Sequence, residues 1–322
     1  MYMNFNTVMF YYTMIMGTMI SLSANNWLMI WIGLEITMMS IMPLISNKNF
    51  LSSESSVKYF IIQSISSSMM MLGVLLLMIN SKIEYQMILT SSMMLKMGIA
   101  PFHNWLLEMI ESMELIIMFL LLTFMKVSPL NMLSYLMFKN NLFILLSLMV
   151  GSLFGLNQMS LRKIMCYSSI FNMAFIISSL DSNSIWWSYM LMYTMMVMMI
   201  ILLMYKTNIF YINQMMLNET KMMLKLNIWL AMLALGGIPP MIGFMLKLMV
   251  IQKMILSQEL LISFIMVMSS MMVMFYYLRM SFISIMFSSS MMKWKMFNTT
   301  KSSLWIGMMN ITFTPIMISL KT

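Results

Sequence analysis

The chain predicts an all-α, polytopic membrane protein of about eleven transmembrane helices, laid out as two inverted five-helix repeats, each with a broken helix, plus one C-terminal helix. Three observations carry this. Charged residues are only 8% of the 322, whereas a soluble domain is nearer a quarter charged. The apolar residues fall in continuous runs of about 20, the length that crosses a bilayer core, without the two-residue alternation of a β-barrel. Helix breakers also recur at comparable places in two of those runs.

In chain order, the runs lie at roughly 3–22, 26–45, 58–79, 84–106, 115–137, 141–157, 163–180, 186–205, 226–251, 260–279 and 303–320. The joining segments are short, and the longest, 206–225 and 280–302, are polar and basic. The fourth run contains Gly98 and Pro101; the ninth contains Gly236, Gly237, Pro239 and Pro240. Proline removes a backbone donor and clashes with the preceding turn. Unwound backbone inside a bilayer is tolerated where protein or a wet cavity surrounds it. The breaks are five spans apart, and an odd unit inverts on repetition. Residues 1–137 then form a first repeat, 138–279 a second of inverted topology, and 280–322 a loop and final helix, all in one transmembrane domain. Interrupted helices at matching places point to a transport site.

Lysine and arginine set the expected orientation. Alternate ends of the spans collect about eleven basic residues, among them Arg162, Lys163, Lys206 and Arg279, against about four at the opposite ends, Lys82, Lys139, Lys253 and Lys321. This positive-inside bias puts the N-terminus on the inner side and the C-terminus on the outer side, which for a chain of mitochondrial coding, as its abundant Met and scarce Arg suggest, are the matrix and the intermembrane space.

Four ionisable residues sit inside apolar runs: Glu35, Lys96, Lys126 and Lys247. On insertion scales an ionised group at mid-bilayer costs roughly 2.5–3.5 kcal/mol, so four cost on the order of 10. Such groups mark proton or ion paths. An amine holds its proton beside a carboxylate and releases it in an apolar setting. Glu35 therefore reads as a charge partner and the lysines as relay groups; a structural ion pair at Glu35 and snorkelling at Lys247, which lies nearer a span end, are the bland alternatives. His103, beside the first break, is either a relay member or a histidine hydrogen-bonded in a turn. Glu108, Glu111 and Glu114 read as a solvated acidic face.

One cysteine, Cys166, and one histidine leave no set of donors for a disulfide framework, a zinc site, an iron–sulfur cluster or bis-histidine haem. No cofactor or metal is expected on this chain. The net charge of +9 is scattered over short loops and has no aromatic-interleaved cluster, so no nucleic-acid partner is expected. Met occurs 57 times, with Arg twice and Ala about five times. That pattern fits AT-rich mitochondrial coding in which ATA is read as Met. The first residues lack the patterns of a signal or transit peptide, as expected for a product made inside the organelle.

Several stretches, in order and over nearly the whole chain, resemble the subunit 2 family of mitochondrial NADH:ubiquinone oxidoreductase (complex I), insect-type. They are Trp-Ile-Gly-Leu-Glu35-Ile, Ser53-Glu54-Ser-Ser-Val-Lys58-Tyr-Phe, Lys96-Met-Gly-Ile-Ala-Pro-Phe-His103-Asn-Trp, Lys126-Val-Ser-Pro-Leu, Gly155-Leu-Asn-Gln-Met-Ser-Leu-Arg162-Lys163 and Leu235-Gly-Gly-Ile-Pro-Pro-Met-Ile-Gly-Phe. The resemblance implies an antiporter-like, proton-translocating subunit of the membrane arm, multi-pass in the mitochondrial inner membrane. Glu35 becomes the charge partner, Lys96 the central pumping lysine, Lys126 the bridging lysine and Lys247 the exit lysine. The implied partners are other complex I subunits, especially neighbouring antiporter-like ones, and inner-membrane phospholipids. FMN, iron–sulfur clusters and ubiquinone would sit on other subunits. One departure is Leu246, where the family usually has Pro before the last lysine. A stand-alone cation/proton antiporter and a purely structural subunit are the competing readings.

Overall fold

The computed structural model describes residues 5–46, 50–79, 83–136, 140–217 and 222–289. Among these residues the regular structure is helical, with one isolated antiparallel bridge between Ser160 and Tyr211. The helices are α1 (Phe5–Ser23), α2 (Trp27–Ile45), α3 (Phe50–Ile79), α4 (Ile83–Met97), α5 (Asn104–Ser112), α6 (Leu115–Leu122), α7 (Phe124–Ser134), α8 (Asn141–Leu156), α9 (Leu161–Ser178), α10 (Asn183–Thr207), α11 (Ile212–Leu217), α12 (Met222–Gly236), α13 (Ile242–Leu256) and α14 (Leu260–Ser289). Five described stretches are long and apolar enough to cross a membrane: Trp27–Ile45, Phe50–Ile79, Leu115–Ser134, Asn183–Thr207 and Leu260–Phe282. The expected span at 303–320 lies outside the described residues.

Helix ends differ from the hydropathy pattern in an instructive way. The expected span at 58–79 begins at Phe50, because a helix propagates through polar residues once nucleated, and Glu54 and Lys58 pair at 3.0 Å one turn apart in that added stretch. The expected span at 84–106 is two helices, α4 and α5. The expected span at 115–137 is also interrupted, at Thr123 between α6 and α7. Its φ/ψ of −122°/−78° leaves the helix, and its hydroxyl donates to the Phe119 carbonyl at 2.7 Å.

The chain divides into two compact units, residues 1–143 and 144–322. Apolar surface gains little by leaving lipid for protein, so packing rests on close backbone approach. In the first unit α1 meets α2 where Gly17 faces Gly33, and a Cβ on Gly33 would fall 2.8 Å from the Gly17 carbonyl oxygen. Buried hydroxyls donate within their own helices, as Thr37 does to Leu34 and Ser92 to Leu89, both at 2.7 Å. In the second unit α9 is the central helix, buried along almost its whole length. Gly151 of α8 lies so close to it that a Cβ would fall 2.8 Å from Phe171.

Candidate functional site

Both glycine–proline segments break their helices, and by the same local geometry. After α4, Gly98 has φ +68°. The Gly98 N–H donates to the Leu95 carbonyl at 3.2 Å and the Ile99 N–H to that of Met94 at 3.1 Å. After α12, Gly237 has φ +81°; its N–H reaches the Ala234 carbonyl at 3.2 Å, and the Ile238 N–H that of Leu233 at 3.4 Å. Each is a Schellman cap, with a left-handed glycine just past the helix end. A lysine stands at each break.

Lys96 is the penultimate residue of α4. Its Nζ lies 3.9 Å from Glu35 Oε1, and the two side chains are 5% and 20% exposed. That distance is within Coulomb reach but too long for a hydrogen bond. At about 4 Å and an effective dielectric of 20 the attraction is about 4 kcal/mol, set against the desolvation of both ions. Glu35 Oε1 is shielded from solvent and, among the described residues, accepts no hydrogen bond.

Lys126, 2% exposed, is the third residue of α7. The break at Thr123 therefore places it in the first turn of a new helix, where its N–H donates to the Thr123 carbonyl at 3.1 Å. Lys96 and Lys126 line the same small cavity in the first unit, with Thr37, Tyr59, Gln63 and Trp105. The sequence placed both lysines in spans; the structure brings them to one cavity.

Lys247, in the second unit, is 5% exposed and does not snorkel. Its Nζ donates to the carbonyls of Gly236 at 2.7 Å and Leu235 at 3.4 Å, at the end of α12. The Phe171 ring centroid lies 5.2 Å away. The exposed carbonyls of a helix C-terminus favour a cation, and an aromatic face adds to that attraction. His103 does not line the cavity; its Nδ1 lies 3.1 Å from the Pro101 carbonyl oxygen, which can only accept, so Nδ1 carries the proton. Glu108 lies on the exposed face expected for it and pairs with Lys58 at 3.0 Å, tying α5 to α3.

Three residues of the site escaped sequence reasoning. Gln63 of α3 donates from Nε2 to the Lys96 carbonyl at 3.3 Å, so it caps the first broken helix. Tyr59, one turn earlier, lines the cavity, and Thr123 makes the break that positions Lys126. An amide in an apolar run is the signal that could have found Gln63; for Thr123 the chain offered no glycine or proline.

The profile of the family described as "NADH:quinone oxidoreductase/Mrp antiporter, TM" matches residues 24–273. The chain is 36% identical over 308 residues to NADH-ubiquinone oxidoreductase chain 2 of Anopheles gambiae, covering 90% of each. It is 37% identical over 307 residues to the protein of that name in Locusta migratoria, covering 91% of this chain and 90% of the relative. In fold it is similar to a chain of respiratory complex I from Thermus thermophilus solved with bound aureothin, with a TM-score of 0.78 at 17% identity, over 98% of this chain and 78% of that one. With broken helices and buried lysines now joined by close insect relatives over nine-tenths of its length, the chain belongs to the NADH-ubiquinone oxidoreductase chain 2 family, of insect type.

Proposed function

We propose that this chain is a core membrane-arm subunit of respiratory complex I that carries protons across the inner mitochondrial membrane through Glu35, Lys96, Lys126 and Lys247. Electron transfer from NADH to ubiquinone, on other subunits that hold FMN and the iron–sulfur clusters, drives it. The observation that carries the reading is the cavity that Lys96 and Lys126 share, with Glu35 3.9 Å from Lys96. A lysine beside the carboxylate keeps its proton; as its ammonium turns from Glu35 into the cavity, it loses that partner and can hand the proton to Lys126 through water. Lys247 serves the second half of the path, its ammonium held by helix carbonyls in place of a carboxylate. His103 is a possible further member. In this reading the chain crosses the membrane about eleven times, in two inverted five-helix repeats and a last helix, with its N-terminus in the matrix. Its neighbours are other antiporter-like subunits and inner-membrane phospholipids.

Lys96→Met tests the reading, because the side chain stays long and packing is largely kept. Fewer protons should be pumped per electron while the complex still assembles and oxidises NADH. Unchanged pumping per electron in fully assembled complex refutes the role of Lys96. The matching profile also covers Mrp antiporters, and a stand-alone cation/proton antiporter is the competing reading. Migration of the chain on a native gel with a near-megadalton, NADH-oxidising complex separates the two.

A further inference from the structure

Tyr59 is the most deeply buried polar group in the cavity that the relay does not use. The residue is 1% exposed, and among the described residues its hydroxyl has no hydrogen-bond partner. It lines the cavity together with Lys96, whose ammonium stands 3.9 Å from Glu35. Glu35 Oε1 is in the matching condition, a buried acceptor with no donor among the described residues. Both groups therefore stand unsatisfied beside a 3.9 Å ion pair that is itself too long for a hydrogen bond. The Tyr59 ring is held from two sides. Trp105 packs against it with centroids 6.2 Å apart, and Gln63, at i+4 on the same face of α3, fastens that helix to the Lys96 carbonyl.

An unpaired buried hydroxyl is costly, and replacing it with an apolar group of the same shape is close to neutral or stabilising. No described protein group fixes this hydroxyl, so packing alone would accept phenylalanine as well. The geometry offers another account. When the Lys96 ammonium leaves Glu35 for the cavity, a bare carboxylate remains in a low-dielectric setting, and that state is reached only if another donor takes the ammonium's place. We propose that Tyr59 is a positioning residue that donates its hydroxyl hydrogen bond to Glu35 whenever Lys96 disengages. The phenol keeps its proton throughout; it lowers the energy of the open ion pair and so sets how often Lys96 delivers a proton. This rests on the relay reading above.

The test compares Tyr59→Phe, Glu35→Gln and Lys96→Met in the assembled complex. Tyr59→Phe should assemble with normal or raised thermal stability, yet pump severalfold fewer protons per electron, and infrared spectra should show the carboxyl band that Glu35→Gln abolishes shifted by the lost hydrogen bond. Full pumping and an unshifted band in Tyr59→Phe, with pumping lost in Lys96→Met, overturns the role of Tyr59 and leaves the relay standing. Full pumping in both Lys96→Met and Glu35→Gln removes the relay and this role together. A second measurement needs no variant. Structures of the unaltered complex at two pH values should show the Tyr59 hydroxyl within hydrogen-bond distance of Glu35 where Lys96 has moved away; a hydroxyl bonded only to other groups in that state overturns the proposal.

Discussion

Lys247 has no carboxylate within ion-pair distance among the described residues; its Nζ bonds to carbonyls alone. Its ammonium is matched instead to two carbonyls that a broken helix leaves free, so the break and the lysine are one device. Gly237 is part of it: at φ +81° a side chain is strained, and a Cβ would fall 3.0 Å from Lys247 Nζ. Gly237→Ala should cost about 1–2 kcal/mol for the left-handed backbone and push the ammonium off its carbonyls. The expected result is a lower melting temperature of the detergent-solubilised complex together with reduced pumping. Lys247→Met strips the cap from the Gly236 and Leu235 carbonyls and should destabilise the complex locally by about 1–3 kcal/mol; normal stability would mean that the carbonyls find other donors.

The two breaks share more than their glycines. Each ends in Gly-Ile-x-Pro, each forms the same cap, and in each a side chain from elsewhere satisfies the carbonyl one residue before the last helical position. At the first break that donor is the neutral Gln63, and at the second it is Lys247. The first lysine is thereby left free to face Glu35 and the cavity. Gln63→Leu should leave the Lys96 carbonyl unpaired, at a cost of about 1–3 kcal/mol. Amide hydrogen exchange at Gly98 and Ile99 should quicken, with the middle of α4 unchanged; equal protection in both proteins would show that the cap does not depend on Gln63. Much of this was legible in the sequence. Glycine and proline announce a break wherever they stand, and a lysine in an apolar run announces a site. The interruption at Thr123 was not legible, because it comes from a backbone departure that threonine does not encode by itself. Tyr59 and Gln63 were hidden for another reason: their roles exist only once α3 is packed against α4 and α5.

At the scale of the second unit, register fixes direction. Lys247 of α13 lies against Phe171 of α9, and Lys253 of α13 donates to the Ser178 carbonyl at 3.5 Å. The steps of six and seven residues rise about 9 and 10 Å, so α9 and α13 run parallel. In the proposed topology only α10 crosses the membrane between them, and α12 and α13 are two halves of a single broken span. α9 has 18 residues, about 27 Å, close to the thickness of the hydrocarbon core. In the proposed topology its two ends lie on opposite sides. One end carries Arg162, stacked 4.5 Å from Phe210, with Lys163 and the Ser160–Tyr211 bridge. The other carries Asp181, which pairs with Lys253 at 3.5 Å and so offsets the basic charge there. In the proposed orientation the first end, by the positive-inside rule, faces the matrix. Asp181 is 92% exposed and Tyr211 54%, while Cys166, the sole cysteine, is fully buried. A membrane-impermeant maleimide should therefore label Asp181→Cys in mitoplasts, from the intermembrane side, and Tyr211→Cys in inverted submitochondrial particles, from the matrix side. The reverse pattern would turn the chain over in the membrane; labelling of both from one side would remove α9 and α10 together as crossings, because the Ser160–Tyr211 bridge gives them the same two ends, and would leave the second repeat three spans against the first repeat's five.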